Sequence, residues 1–185
     1  FEALDKNGNP AWAGQFREPI PTSYPSRAQT ALNIGGLVAD GYIAVEAQAS
    51  QQVKNVGRDI IALAKSLGVS QNVLARGNSI AEFAENNEWS VLKEELEATQ
   101  NEVKLAMHEQ KDDDLVDLVT LGAWIRGTQV VSGSIMKSYT PGAARVLRQP
   151  ALVAYLRSRI ASFAPKLQDD PHVAILKNRL GRLEE

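Results

Sequence analysis

The sequence predicts an all-α protein: an antiparallel bundle of about five to seven helices that follows an extended, proline-containing N-terminal arm. Three observations support this fold class. Apolar residues recur at helical spacing through most of the chain, helix-start and helix-stop residues separate these segments, and 44% of the residues are hydrophobic. A chain of 185 residues has the size of one ordinary domain. We therefore divide it into the arm, residues 1–25, and a single helical domain, residues 26–185.

The arm, residues 1–25, lacks the periodic hydrophobic pattern of a helix because prolines and glycines interrupt it. Its aromatic residues Trp12, Phe16 and Tyr24 are expected to pack against the helices, since a flexible tether rarely contains three aromatic side chains.

The first two helices are predicted from their caps and apolar stripes. The first begins near Ser26, which has capping-box spacing to Gln29, and runs to about Ser50. The second covers about 52–67, and Gly68 provides its C-terminal stop. Its stripe consists of Val53, Val56, Ile60, Leu63, Ala64 and Leu67.

The middle of the chain predicts shorter elements and then an amphipathic helix. A helical turn from Ser70 to Arg76 ends at Gly77, and a brief helix from Ser79 to about Asn86 follows. Asn87 then caps a helix over 88–111 on the outside of the bundle. This helix carries one apolar stripe, formed by Trp89, Leu92, Leu96, Thr99, Val103 and Ala106.

The remaining helices are predicted from acidic and proline-containing starts. A helix over about 113–138 is apolar on several sides and should therefore be central. The three aspartates at 112–114 are well placed at the N-terminus of this helix, the positive end of its dipole. Thr140 and Asp170 each precede a proline, which predicts helices near 141–148 and 171–183. Between them, Pro150 opens a helix that carries Leu152, Leu156, Ile160 and Phe163.

A strand alternative exists for two segments, residues 42–47 and 128–132, where β-branched residues follow glycine. We favour helices there because the helical stripes continue through both segments and the rest of the chain offers no partner strands.

The two most apolar helices share a pattern that predicts the candidate site. Residues 36–41 (GLVADG) and 122–127 (GAWIRG) each carry two glycines five apart and a charged residue before the second glycine. Glycine inside a helix is unfavourable, so the pattern indicates that two backbones approach closely there. Asp40 and Arg126 would then face the same interior and pair, with Tyr42 and Trp124 as the walls of a ligand pocket. The alternatives are chance similarity and a purely structural ion pair.

The sequence contains no complete motif for metal binding, nucleotide binding or covalent catalysis. Asp5-Lys6-Asn7-Gly8-Asn9 opens like a calcium loop, but Pro10 and Phe16 stand where such a loop needs glycine and glutamate, which favours a plain Asn-Gly turn. The two histidines, His108 and His172, lack metal-ligand spacing, and glycine-rich phosphate loops and serine-nucleophile motifs are missing. The sequence therefore predicts no catalytic residue, no metal and no cofactor.

Charge is unevenly distributed along the chain. Residues 80–117 carry three basic and twelve acidic side chains, whereas 118–185 carry ten basic and four acidic ones. We expect the two segments to lie beside each other in the fold. The alternative is an external anionic partner, although the overall net charge of -2 makes nucleic acid unfavourable as that partner.

Composition leaves the compartment open. Cysteine is absent, which excludes disulfides and thiolate chemistry. The chain begins at Phe1, from which we expect an exported, periplasmic bacterial protein whose leader was removed, with a membrane tether upstream of the chain or a cytoplasmic location as alternatives.

We therefore expect a non-enzymatic interaction or scaffold protein that binds a protein partner or a small polar ligand. The first alternative is a small-molecule-binding bundle that uses the Asp40/Arg126 crossing. The second is an enzyme without a linear motif, whose titratable groups would come from Asp40, Glu46, Arg126 and Tyr42.

Overall fold

The computed structural model describes residues 11–69 and 71–183, excluding the side chains of residues 71–74. The helices are α1 (Arg27–Glu46), α2 (Ser50–Ser66), α3 (Gln71–Glu85), α4 (Trp89–Glu109), α5 (Asp113–Lys137), α6 (Pro141–Ala144), α7 (Pro150–Ala161), α8 (Pro165–Gln168) and α9 (Pro171–Gly181). Single 3₁₀ turns lie at Trp12–Gln15 and Arg145–Leu147. No strand occurs in these described ranges, so the all-α prediction is confirmed and both proposed strand segments are helical.

Helices α1 and α5 form the centre of the bundle with their backbones in direct contact. A Cβ added at Gly35 would lie 1.9 Å from the Val119 carbonyl oxygen, and one added at Gly122 would lie 2.0 Å from the Leu32 carbonyl oxygen. Neither position can hold a larger residue unless the helices separate. The predicted close approach is therefore present at Gly122.

The partner glycine in this close approach is Gly35, which lies just before the predicted pattern of residues 36–41. Gly36 and Gly41 of the pattern face other neighbours: a Cβ on Gly41 would make ordinary contact with Leu96 at 3.5 Å. Nothing lies within 4 Å of a Cβ added at Gly127. The close backbone approach that the pattern predicts is therefore absent at Gly36, Gly41 and Gly127.

The other helices surround this pair. α2 and α4 pack against α1, and α3 lies between α2 and α4. α7 packs on α5 and α9 packs on α7 and α1. The central position predicted for α5 and the amphipathic character predicted for α4 are both confirmed, since Leu92, Leu96 and Val103 of α4 are buried.

Local hydrogen bonds define the ends of the first helices. The Ser26 hydroxyl accepts the N–H groups of Ala28 and Gln29, as the capping pattern predicts. α1 ends at Glu46, before the predicted Ser50, because the N–H of Ala49 closes back on the Ala44 carbonyl with Gln48 at a positive φ of 51°. Gly68, with φ +78°, stops the chain after α2 as predicted.

The predicted break in the middle of the chain is wrong, because α3 is continuous from Gln71 to Glu85. Gly77 does not stop a helix. A Cβ there would lie 2.0 Å from Ile61 Cδ1, so the glycine makes room for the isoleucine of the neighbouring helix. Asn87, expected to cap α4, has a positive φ of 59° and instead ends α3, where the N–H of Glu88 bonds to the Phe83 carbonyl.

Near the C-terminus the predicted starts are correct but one helix is shorter. Thr140 caps α6 through the N–H of Ala143, and the expected helix over 141–148 becomes α6 plus a 3₁₀ turn. The buried residues of α7 are Val153, Leu156 and Ile160, whereas Leu152, which was expected in the stripe, is 36% exposed.

The described part of the arm packs on the helices, as its aromatic residues predict. Trp12 is buried against Ile43 of α1 and Val130 of α5, and Phe16 and Tyr24 are half-buried against the core. The arm is not wholly extended, however, because Trp12–Gln15 form a 3₁₀ turn.

Asp170 links the start of α9 to the start of α1. One carboxylate oxygen accepts the N–H groups of His172 and Val173, at 2.8 and 3.4 Å, and the other accepts the Ser26 hydroxyl at 2.5 Å. Partial burial acts to raise the pKa of Asp170, but these hydrogen bonds together hold its pKa below the ordinary value. The charged form is therefore stabilised by folding.

We expect Asp170→Ala to lower the free energy of unfolding by about 1–2 kcal/mol at neutral pH, because a helix cap and an inter-helix hydrogen bond are lost. The stabilisation is present above the ordinary pKa of aspartate and disappears as the pH falls through the lowered folded-state pKa. Urea denaturation at neutral and acidic pH measures both effects. Asp169→Ala, at the exposed neighbouring residue, is the control, and equal losses in the two variants would contradict the capping role.

Candidate functional site

The predicted pair of Asp40 and Arg126 is present at the crossing of α1 and α5. Arg126 Nε donates to Asp40 Oδ1 at 2.7 Å. The Asp40 side chain is only 12% exposed and the Arg126 side chain only 7%. Because a buried guanidinium requires a partner, Asp40 is a structural requirement of this crossing.

A second arginine, Arg17 of the arm, shares the same carboxylate. Its Nε lies 2.7 Å and its Nη2 lies 2.5 Å from Asp40 Oδ2. A Cβ added at Gly36 would come within 3.2 Å of Arg17 Nη2, so this glycine gives the guanidinium space beside α1. Sequence reasoning missed Arg17; the only available signal was its place next to Phe16 in an arm expected to pack on the helices.

The cluster of Arg17, Asp40 and Arg126 keeps an uncompensated positive charge, because two guanidiniums flank one carboxylate. The remaining contacts of Arg126 are neutral: Nη1 donates to Gln129 Oε1 at 2.9 Å and Nη2 to the Gln15 carbonyl at 2.5 Å. An arginine has five N–H groups, so two on Arg126 make no hydrogen bond within the described ranges.

A cleft of about 280 Å³ opens beside these guanidiniums, which we call the cationic cleft. Gly36 and Gly122 line it where α1 and α5 meet. Its polar end is formed by Arg17, Arg126 and Gln129, and its apolar side by Leu32, Ile125, Ile175 and Leu176. His172 also lines it, and lies 2.7 Å from Gln29. The cleft thus offers one cationic end and one hydrocarbon surface.

The two aromatic residues predicted as walls do not line this cleft. Tyr42 lines a separate cleft of about 320 Å³ with Glu46, Lys93 and Glu97. Burial, together with the Glu97 carboxylate, raises the pKa of Tyr42 to about 12, which keeps its phenol protonated at neutral pH. The indole N–H of Trp124 donates to Gln149 Oε1 at 3.0 Å, which joins α5 to the start of α7.

The remaining candidates for metal or acid–base chemistry have structural partners. His108 forms an exposed ion pair with Asp113, which raises the pKa of the imidazole, and His172 lies 3.3 Å from Asp170. The described ranges contain no group of three or more His, Asp or Glu side chains placed to hold a metal ion. The Asp5–Asn9 turn lies outside the described residues.

The predicted contact between the acidic and basic segments is found between α5 and α7. There Arg159 lies 2.8 Å from Asp117. The acidic residues of α4 pair elsewhere: Arg76 of α3 binds both Glu95, at 2.8 Å, and Glu102, at 2.5 Å. α4 packs mainly on α1, α3 and α5, so the expectation that it lies along the basic C-terminal helices is wrong.

No protein-family model, no curated protein and no solved structure matches this chain. None of the described helices is both long enough and apolar enough to cross a bilayer.

Proposed function

We propose that this protein binds a small amphipathic monoanion, a carboxylate or phosphate joined to an apolar body, in the cationic cleft. The observation that carries the proposal is the shared carboxylate: Asp40 is bound by both Arg17 and Arg126, so one positive charge at the end of an apolar cleft has no counter-ion in the cluster. The site is the Asp40/Arg126 crossing that the sequence suggested for a ligand, and the charge balance of the cluster supports an anion as that ligand.

Arginine suits the charged end of such a ligand. A guanidinium presents several N–H donors in one plane and binds carboxylate or phosphate oxygens through paired hydrogen bonds. Arg126 is held in place by Asp40, Gln129 and the Gln15 carbonyl, so little conformational entropy is lost when an anion binds.

The apolar side of the cleft suits the body of the ligand. Ile125 and Ile175 are 39% and 52% exposed, which is unusual for isoleucine in a folded domain. A hydrocarbon chain lying on them and on Leu176 would remove this surface from water, at about 25 cal/mol per Å² of apolar area. The cleft is near the lower end of the usual volume range for ligand sites, which favours a small ligand.

Binding is tested by isothermal titration calorimetry with three probes of equal chain length: octanoate, octylammonium and octanol. We expect octanoate to bind with a dissociation constant between about 1 μM and 1 mM, and the cationic and neutral probes to bind at least about tenfold more weakly. Octylammonium binding as tightly as octanoate, or no binding of octanoate at millimolar concentration, would overturn the proposal.

Two substitutions separate the cleft from the rest of the surface. Ile175→Glu introduces a negative charge at the exposed rim and is expected to weaken octanoate binding at least about tenfold without loss of helicity. Leu105→Glu is the matched control, because Leu105 is a 61% exposed apolar residue on α4. Equal affinity of both variants for octanoate would place any binding outside this cleft.

An interaction or scaffold role, the first expectation from the sequence, is favoured by a separate observation. Several large apolar side chains are exposed near the C-terminal end of α5 and on α7, and such surfaces commonly form interaction sites.

We also propose an exported location, with the cytoplasm as the alternative, and fractionation of the source cells distinguishes the two.

A further inference from the structure

The exposed apolar side chains of this protein are concentrated in one part of the chain. Nine large hydrophobic residues are exposed in the described ranges, and five of them lie between residues 136 and 155. Met136 and Tyr139 are 83% and 69% exposed, at and just beyond the end of α5. The other three are Leu147, Leu152 and Tyr155. Single exposed apolar residues are common on protein surfaces, but such a concentration indicates a surface that binds a membrane or another molecule.

Basic residues alternate with these apolar ones. Lys137, Arg145 and Arg148 are exposed, and the stretch of 118–168 contains no aspartate or glutamate. We define the basic-apolar surface as Met136, Lys137, Tyr139, Arg145, Leu147 and Arg148. The salt bridge that links the basic segment to the acidic one uses Arg159 of α7, which is not part of this surface.

The surface lies on two segments: the end of α5 with the turn that follows it, and the 3₁₀ turn at Arg145–Leu147 with Arg148, which packs on α5. Ser138 ends α5, and Thr140 then caps α6, so the chain turns sharply at Tyr139. The following residues pack back along α5, as the contact of Trp124 with Gln149 shows. Met136, Lys137 and Tyr139 are exposed at and just beyond the end of α5, so their side chains are accessible to a partner.

We propose that the basic-apolar surface docks on an anionic phospholipid membrane. Lys and Arg side chains are attracted to anionic headgroups, and Met and Tyr insert at the boundary between headgroups and acyl chains. Duplex nucleic acid would match the charge but offers the Met136 side chain no apolar environment, and the test below distinguishes an acidic protein from the membrane. The surface acts independently of the cationic cleft.

The test is co-sedimentation of the full chain with vesicles of phosphatidylglycerol and with vesicles of phosphatidylcholine. We expect binding to the anionic vesicles that weakens as salt is added, because the Coulomb attraction is screened. Equal binding to both vesicle types, or no binding to the anionic one, would overturn the proposal.

Two sets of variants assign the binding to this surface. Lys137→Gln, Arg145→Gln and Arg148→Gln combined are expected to lower the partition coefficient about a hundredfold, at about fivefold for each charge removed. The matched control combines Arg58→Gln, Lys65→Gln and Lys111→Gln, which removes the same charge from exposed positions on α2 and just before α5. Similar losses in the two triple variants would show a response to net charge alone and contradict the assignment.

Met136→Ser with Tyr139→Ser tests insertion separately from charge. Both side chains are exposed, so the variant is expected to keep its thermal stability and to bind anionic vesicles about tenfold more weakly. Unchanged vesicle binding by this variant, or binding to polyglutamate or duplex DNA with the same affinity as to anionic vesicles, would replace the membrane with an acidic macromolecule.

Discussion

Gly122→Ala is expected to lower the free energy of unfolding by about 3 kcal/mol or more. The added Cβ would lie 2.0 Å from the Leu32 carbonyl oxygen and 2.8 Å from its carbon, both backbone atoms that cannot rotate away. α1 and α5 would have to separate, with loss of packing along their whole contact. Urea denaturation monitored by circular dichroism measures the loss.

Gly127→Ala is the matched control on the same helix. Nothing lies within 4 Å of a Cβ at Gly127, and alanine is the better helix former by about 1 kcal/mol. We therefore expect this variant to be as stable as the wild type or up to about 1 kcal/mol more stable. A similar small change in both variants would contradict the backbone contact between α1 and α5.

Asp40→Ala is expected to cost about 3–5 kcal/mol, because it leaves the buried guanidinium of Arg126 without a carboxylate and releases Arg17 of the arm. Thermal or urea denaturation at neutral pH measures the loss. Trp12 lies in the same arm and is buried, so its fluorescence should also shift towards longer wavelength if the arm detaches.

Glu85→Ala provides the comparison for a surface ion pair. The Glu85 carboxylate of α3 lies 3.3 Å from Lys54 Nζ and its side chain is 64% exposed, and such pairs contribute about 1 kcal/mol or less. A loss for Asp40→Ala no larger than that for Glu85→Ala would show that the cluster at the helix crossing is not structurally required.

The helices could be predicted from the sequence wherever a local rule decides the outcome. Ser26, Thr140 and Asp170 act as caps through hydrogen bonds to residues two or three positions away, and Gly68 stops the chain after α2 by its own conformation. Gly77 was expected to stop a helix in the same way, but it instead leaves space for Ile61 of another helix. Tertiary packing overrode the local rule there.

The candidate site could be predicted only in part for the same reason. Asp40 and Arg126 were detectable because each lies in a glycine-bearing apolar segment, and such segments tend to cross. The positions of Tyr42 and Trp124 depend on the rotation of α1 and α5 about their axes, and Arg17 depends on the path of the arm. The spacing of residues in the sequence determines neither the rotation of the helices nor the path of the arm.

An amide NMR titration of the full chain with octanoate tests the central proposal, an anion-binding cleft beside Arg17 and Arg126, most directly. We predict that the shift changes concentrate at Gly36, Gly122, Ile125 and Leu176, the residues that line the cationic cleft. Shift changes centred on Tyr42 and Glu46 in the neighbouring cleft, or a spectrum unaltered by octanoate, would contradict it.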